Sequence, residues 1–344
     1  MRVLVTGSGG LIGSEAAEYF LADPQNIVMG MDNNMRMVFF GPGGDVSSTI
    51  LRLSAYKNYR HRNIDITNKT SVDEAISLFE PDLLIHCAAQ PSHDKAADIP
   101  HLDFSVNANG TLNLLESFRN HCSPSSVFIQ VSTNKVYGDG PNHLNLIEGQ
   151  TRYDFADEKY KNGIAEDFSI DNCLHSLFGA SKVAGDILAQ EYGRYFGLNV
   201  GIFRGGCLTG PQHAGVELHG FLSYIIKCAK SEKPYTIFGY KGKQVRDQIH
   251  CYDVVRAFEE FAANPRQGEV YNLGGGVKNS ASVLEIINLI QEVSGDELNY
   301  SLSEKARIGD HICYYTDMSK FKSHYPSWSM KYDLNTIVEE MVNG

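Results

Sequence analysis

Short apolar runs alternate with stretches of helical period along the first two hundred residues. Val3 to Thr6, Ile27 to Met31, Leu83 to Ala88, Val127 to Ser132 and Val200 to Arg204 are brief, apolar or β-branched, and bounded by glycine, proline or polar residues. That is the pattern of strands buried on both faces. Between them, Ser14 to Leu21, Ser71 to Phe79, Ser105 to Asn120 and Ala180 to Phe196 carry apolar residues at helical spacing. Strands alternating with helices imply right-handed crossovers and a parallel sheet covered on both sides. The expected fold is α/β, a Rossmann-type doubly wound parallel sheet.

The stretch Gly138 to Ser176 breaks this rhythm with Asp, Glu, Lys, Asn and Tyr, and reads as an insertion at the ligand-binding edge of the sheet. Beyond Arg204 the pattern is irregular. It predicts a helix near Glu217 to Ser231, strands near Tyr235 to Phe238 and Val245 to His250, helices over Asp253 to Ala263 and Val283 to Ser294, and a last helix from Asp333. The division expected is a sheet domain over 1–204, with the insertion 138–176, and a smaller mixed α/β C-terminal lobe over 205–344, the chain crossing between them in places.

Composition narrows the class. The 344 residues are 42% hydrophobic and 21% charged, ordinary globular values at a length that favours a large domain plus a companion. Lys and Arg number 30 against 41 Asp and Glu, a net charge of −11. With no long basic run, nucleic acid and anionic membrane surfaces are poor partners. Seven scattered cysteines, odd in number and without C-x-x-C spacing, argue against a disulfide framework or a structural zinc site. No apolar run reaches the roughly 18 residues of a membrane span, and the N-terminus enters a strand at Arg2 without a signal-peptide pattern. A soluble protein of the reducing cytoplasm is expected, with no metal.

The first chemical signal is Gly7, Gly10 and Gly13 between the first strand and first helix, followed by Asp32 at the end of the second strand. Glycines there allow a tight turn and close approach of backbone to a pyrophosphate at a helix N-terminus. An acid at 32 accepts from an adenosine ribose and repels a 2′-phosphate, favouring NAD over NADP. The alternative is a glycine turn with no ligand. Asp65 and Ile66, after the third expected strand, stand near the place of the adenine; an ordinary strand-end aspartate is the competing reading.

With this motif, Ser132-Thr133-Asn134-Lys135-Val136-Tyr137-Gly138, Phe178-Gly179-Ala180-Ser181-Lys182, and Arg246-Asp247-Gln248-Ile249-His250 followed by Asp253, the chain resembles the extended short-chain dehydrogenase/reductases over nearly its whole length. Members mostly remodel nucleotide-diphosphate sugars. The resemblance implies bound NAD held by Gly7, Gly10, Leu11, Ile12, Gly13, Asp32, Asn33, Asp65, Ile66, Ala88, Ala89, Gln90, Asn107 and Lys182. It implies that Thr133 bonds the sugar oxygen being oxidised and that Arg246 grips the diphosphate, with Asn134, His213 and Arg307 also at the substrate. For Arg246 the competing role is an ion pair with Asp247. A homo-oligomer is expected by the same resemblance.

In that family a Y-x-x-x-K motif places an acid/base tyrosine and a lysine on one helix face, the lysine charge lowering the tyrosine pKa. Lys182 matches the lysine, but the tyrosine position is Phe178, which holds no titratable atom. Three readings stay open: another group moves the proton, the protein binds without catalysing, or the phenylalanine was introduced to trap a substrate. Cys207 and His213, after the sixth strand, are candidates for shared proton work, against a buried small cysteine and a loop histidine. Tyr137 reads as packing.

Relatives that dehydrate the sugar carry an Asp-Glu pair where this chain has Asn134-Lys135, which speaks against dehydration. The strings STNKVYGD from Ser132, Thr151-Arg152-Tyr153 and Gly242 to Asp247 are similar to a branch of epimerases, so a CDP-sugar is the favoured substrate. A nucleotide-sugar reductase, an epimerase acting at another carbon, and a noncatalytic binding protein are the alternatives.

Overall fold

Five of these runs and two strands not among them pair edge to edge in the computed structural model, which describes residues 1–212, 220–306 and 309–344. They are β1 (Arg2–Thr6), β2 (Ile27–Met31), β3 (Tyr59–Arg62), β4 (Leu83–His86), β5 (Val127–Thr133), β6 (Asn199–Gly205) and β7 (Glu269–Leu273). Their order across the sheet is β7-β6-β5-β4-β1-β2-β3. Val3, Leu4, Val5, Leu84, Ile85, Phe128 and Ile129 are all fully buried. Successive residues on opposite faces are therefore both covered, which is why these strands read as unbroken apolar runs.

β1 runs parallel to both β2 and β4, with Thr6 level with Met31 and with His86. Gly7, Asp32 and Cys87 therefore leave the sheet at one edge. Strand order reverses between β1 and β4, the switch point at which open α/β sheets hold ligands. At one margin lies β3, Tyr-Arg-His-Arg with only its tyrosine buried; an edge strand of this kind carries no apolar run to announce it.

Helices Leu11–Leu21, Lys69–Phe79 and Gly110–His121 cover the sheet. Leu4, Met29, Val72, Ile76, Leu84, Leu114, Phe118, Phe128, Val200 and Ile202 form one core to which the second and third of these helices contribute. The stretch expected as a helix from Ser105 begins with a π turn over Ser105–Asn109. The helix expected from Ala180 begins earlier, spanning Ser176–Phe196, so Phe178 lies within it.

The chain divides into two compact units. The first is Met1–Thr133, Leu177–Arg204 and Val254–Tyr271; the second is Asn134–Ser176, Gly205–Asp253 and Asn272–Gly344. Five crossings result, one of them after Arg204. In the second unit, helices Phe221–Lys230, Val283–Ser294 and Leu334–Asn343 bury Ile225, Ile226, Ile286, Ile290, Ile337 and Val338 in a core of their own. Ser282 and Glu285 form a reciprocal cap on the second of these helices, and Asp333 caps the third, local signals that set both starts. Strands Ser280–Ser282, Val245–His250 and Cys207–Thr209 form a three-stranded sheet, and Leu146–Glu148 pairs with Tyr153–Phe155 inside the inserted stretch. Among the described residues no helix is long and apolar enough to cross a membrane.

Candidate active site

Each glycine of the loop after β1 has its own reason. Gly7 turns the chain at φ +67°, and a Cβ there would stand 2.7 Å from the Ala88 nitrogen. A Cβ on Gly13 would lie 2.1 Å from the Gly7 carbonyl oxygen, so this glycine lets the helix pack against the loop. Gly10 is different: its nearest foreign atom would be 3.4 Å away, an ordinary contact. No protein atom demands a glycine at 10, whereas a ligand pressed against the backbone does. Gly10 also caps helix Leu11–Leu21 with no side-chain hydrogen bond, leaving the N–H groups of Leu11, Ile12 and Gly13 at a positive helix end.

Two substitutions separate these roles. Gly10→Ala is expected to leave stability within about 0.5 kcal/mol while weakening dinucleotide binding. Gly13→Ala should destabilise the free protein by about 1–3 kcal/mol through overpacking. Thermal melts with and without added NAD read both effects.

Asp32 is fixed at the same edge: its carboxylate accepts from Gly9 N at 2.8 Å and Asn34 N at 2.7 Å. Asn33 accepts from Met35 N. Asp65 closes a turn by accepting from the backbone and hydroxyl of Thr67. The Ile66 side chain belongs to the core. Ala88 N donates to Thr6 Oγ1 at 3.2 Å, and Ala89 follows it, half-buried.

Gln90 and Asn107 are centres of a buried network. Gln90 N donates to Asn107 Oδ1 at 2.9 Å, and Gln90 Nε2 to Asp103 Oδ1 at 2.7 Å. The Asn107 amide in turn reaches the Gln90 carbonyl, Asp103 and Ser181 Oγ. Asn107 sits in the π turn, a local distortion common at functional positions. Nothing in the periodicity of Ser105 to Asn120 signals it.

Helix Ser176–Phe196 presents Phe178 and Lys182 four residues apart, both buried. Lys182 Nζ donates to the Val131 carbonyl at 2.9 Å, two residues before Thr133 at the end of β5. Burial lowers the Lys182 ammonium to about 8, while Asp186, Cys87 and Asp103 pull it the other way. A further turn along the helix, Asp186 accepts from Ser132 Oγ at 2.6 Å and from Arg204 through Nε at 3.0 Å and Nη2 at 2.8 Å. This buried pair clamps the helix to β5 and β6. Asp186, Arg204, Asp103 and His93, whose ring centre lies 4.8 Å from that of Phe178, were not singled out by the sequence.

The second unit gathers a charged cluster of its own. Arg246 Nη2 donates to Asp310 Oδ1 at 2.5 Å, and Lys135 Nζ donates to the Gly309 carbonyl at 3.1 Å and lies 3.5 Å from the same carboxylate. The partner of Arg246 is thus Asp310; Asp247 instead accepts from Gly276 N and Thr316 N. Burial would raise the Asp310 carboxyl, but Arg246 and Lys135 hold it well below its usual value. Asp310→Asn is expected to cost about 1.5–3 kcal/mol, the scale of a hydrogen bond to a charged group. A depressed carboxyl contributes stability above its unfolded pKa of about 3.9 and loses it as pH falls further. Urea melts at pH 7 and pH 3 should therefore show parent and variant converging in acid.

Cys207 lies in strand Cys207–Thr209, its thiol pushed up to about 11, chiefly by burial, so it carries its proton at neutral pH. Tyr137 is fully buried and donates to Asn272 Oδ1 at 2.7 Å. Asn134 is buried at the start of the second unit. His213 and Arg307 lie outside the described residues. None of the seven cysteines is bridged to another.

Comparison with known proteins fixes the family. The profile of the NAD-dependent epimerase/dehydratase family matches residues 3–274. This chain belongs to that family. Its cofactor is NAD, and the dispensable-by-packing Gly10, the uncapped helix and the fixed Asp32 fit such a dinucleotide. Among its relatives, the CDP-paratose 2-epimerase of Salmonella typhi is 32% identical over 99% of this chain and 98% of its own. A probable dTDP-glucose 4,6-dehydratase of Sinorhizobium fredii is 27% identical, covering 99% of this chain and 92% of its own. In structure, this family member is similar to a tyrosine-to-phenylalanine mutant of Bacillus cereus UDP-glucuronic acid 4-epimerase, solved with NAD and a fluorinated UDP-sugar. The TM-score is 0.80 at 26% identity, covering 100% of this chain and 98% of that one.

Proposed function

We propose that this chain is a nucleotide-diphosphate-sugar epimerase that inverts C2 of CDP-paratose, giving CDP-tyvelose, by transient oxidation. The observation that carries the choice between the two activities in the family name is the pair after Thr133. Where dehydrating relatives hold an acid and a base, this chain has a buried amide, Asn134, and an ammonium, Lys135, engaged by Asp310 and the Gly309 carbonyl. Elimination of water needs a separate acid and base; an epimerisation that returns its own hydride needs only one group that takes the hydroxyl proton and gives it back.

NAD supplies a reversible hydride acceptor when bound. Gly10 with the N–H groups of Leu11, Ile12 and Gly13 holds its pyrophosphate, Asp32 its adenosine ribose, and Lys182 its nicotinamide ribose. Thr133 orients the sugar hydroxyl, and Arg246, a planar fork already aimed by Asp310, takes the substrate diphosphate. The positive charge of Lys182 also favours loss of a proton nearby.

The test is NMR of CDP-paratose with the purified protein in heavy water. Conversion to CDP-tyvelose with protium kept at C2 supports the reading. Tight binding without conversion sinks it in favour of a binding protein, and steady consumption of added NADH sinks it in favour of a reductase.

A further inference from the structure

Phe178 leaves the reaction without the family's usual acid/base, and the first unit places an imidazole against it. We propose that His93 is the catalytic acid/base that stands in for the missing tyrosine hydroxyl. The assignment rests on the epimerase reading above.

The rings of His93 and Phe178 are 4.8 Å apart, centre to centre, at 58°, so the imidazole is in van der Waals contact with the ring that in the family carries the hydroxyl. His93 is half-buried, so a substrate hydroxyl can reach it. Its backbone is held by the network already described. Ser92, the residue before it, donates its N–H to Gln90 Oε1 at 2.7 Å and caps helix His93–Asp98 through Lys95 N. Gln90 is tied to Asp103 and Asn107, and Asn107 donates to Ser181 Oγ at 3.0 Å. That hydroxyl donates to the Phe178 carbonyl, also at 3.0 Å. A continuous buried chain of hydrogen bonds therefore runs from the loop carrying His93 to the helical turn carrying Phe178 and Lys182, so that the three side chains are positioned together.

Two other candidates are chemically engaged: the Cys207 thiol holds its proton, and the Tyr137 phenol is buried on Asn272. Among the described residues, charged groups near His93 include Asp94 and Lys95 on its own helix, Asp103 on the helix Pro100–Phe104 packed against it, and Lys182 one turn beyond Phe178.

In the forward step one proton passes from the sugar hydroxyl to the His93 imidazole, making imidazolium. Bound NAD would supply the acceptor for the C–H electron pair, leaving a carbonyl, and would return the same hydride to the other face of the carbon; on return the His93 imidazolium gives its proton back to the oxygen. Protons and electrons close with no external reagent.

The experiment uses the NAD-loaded enzyme and CDP-paratose. His93→Gln is expected to lower kcat by about 10²- to 10⁴-fold, the range of a lost acid/base, with NAD and CDP affinities by calorimetry within about twofold of the parent. It should also erase the acid limb that an imidazole gives between about pH 5 and 8. Phe178→Tyr placed on His93→Gln should recover at least about tenfold, and His93→Gly should respond to added imidazole. A His93→Gln enzyme within about threefold of the parent, or one that keeps its acid limb, overturns the assignment while the epimerase reading stands. A parent enzyme that converts no sugar overturns both.

Discussion

Replacing Lys182 by methionine is expected to lower turnover by about 10²- to 10⁴-fold and at the same time to make the protein more stable at pH 7. The two effects have one origin. Lys182 is almost wholly buried and its ammonium is lowered to about 8, against about 10.4 for a free lysine. Between those values the unfolded chain binds a proton that the folded chain has released, so stability attributable to this group rises with pH across that window. Below pH 8 the charge is present in the folded state and costs about 1–3 kcal/mol. Methionine keeps the length and removes the charge, so the cost disappears together with the charge proposed to hold the nicotinamide ribose. Denaturant melts of parent and variant at pH 7 and pH 10, with kcat measured on each, check both halves. The parent should also lose activity as pH rises through about 8, where the charge is lost. A Lys182→Met enzyme within about fivefold of parental kcat contradicts the role assigned to this residue.

The second large effect falls on stability. Asp186 is 1% exposed and Arg204 4%, and between them run two hydrogen bonds, with Ser132 and Gln190 completing the shell of the carboxylate. Asp186→Ala strands a guanidinium in the core. Breaking a buried pair on one side costs about 3–5 kcal/mol, which in a protein of this size is a fall of about 10 °C in the midpoint of a thermal melt. Removing both charges with Asp186→Leu and Arg204→Met is expected to restore most of the loss, since a buried ion pair and a well-packed apolar pair are of similar worth. Calorimetric scans of the single and double variants decide it; a double variant no better than the single shows that the shape of the pair, rather than its charge, holds the helix to the sheet.

How much of this was legible depends on the distance over which each feature is encoded. The loop after β1 is local: a strand, three glycines and a helix lie within twenty residues, and Asp32 follows on the next strand. The alternation of buried strands with helices is equally local, and it led to the doubly wound sheet. The Lys135, Arg246 and Asp310 cluster is not: its members are brought from positions 64 and 175 residues apart in the chain, and no spacing announces their meeting. Arg246 was noticed for its neighbours His250 and Asp253, yet its partner proved to be Asp310. The early start of helix Ser176–Phe196 was hidden because Phe178 and Gly179 weaken local helix preference, while the packing of Phe178 and the hydroxyl of Ser181 on its carbonyl hold the turn. His93 offered no signal either, since its meaning comes from a ring contact made 85 residues away.

The five crossings between units bear on how this protein can be re-engineered. Each unit is assembled from three separate stretches, so no single cut releases either one as a contiguous fragment. Grafting the second unit of one relative onto the first unit of another therefore calls for exchange of 134–176, 205–253 and 272–344 together. Such a graft carries five splice points, four of them where a strand or helix passes from one unit to the other. A conventional end-to-end chimera joined after residue 204 would leave residues 134–176 from one parent beside the later segments of the other, mixing two ancestries inside a single core.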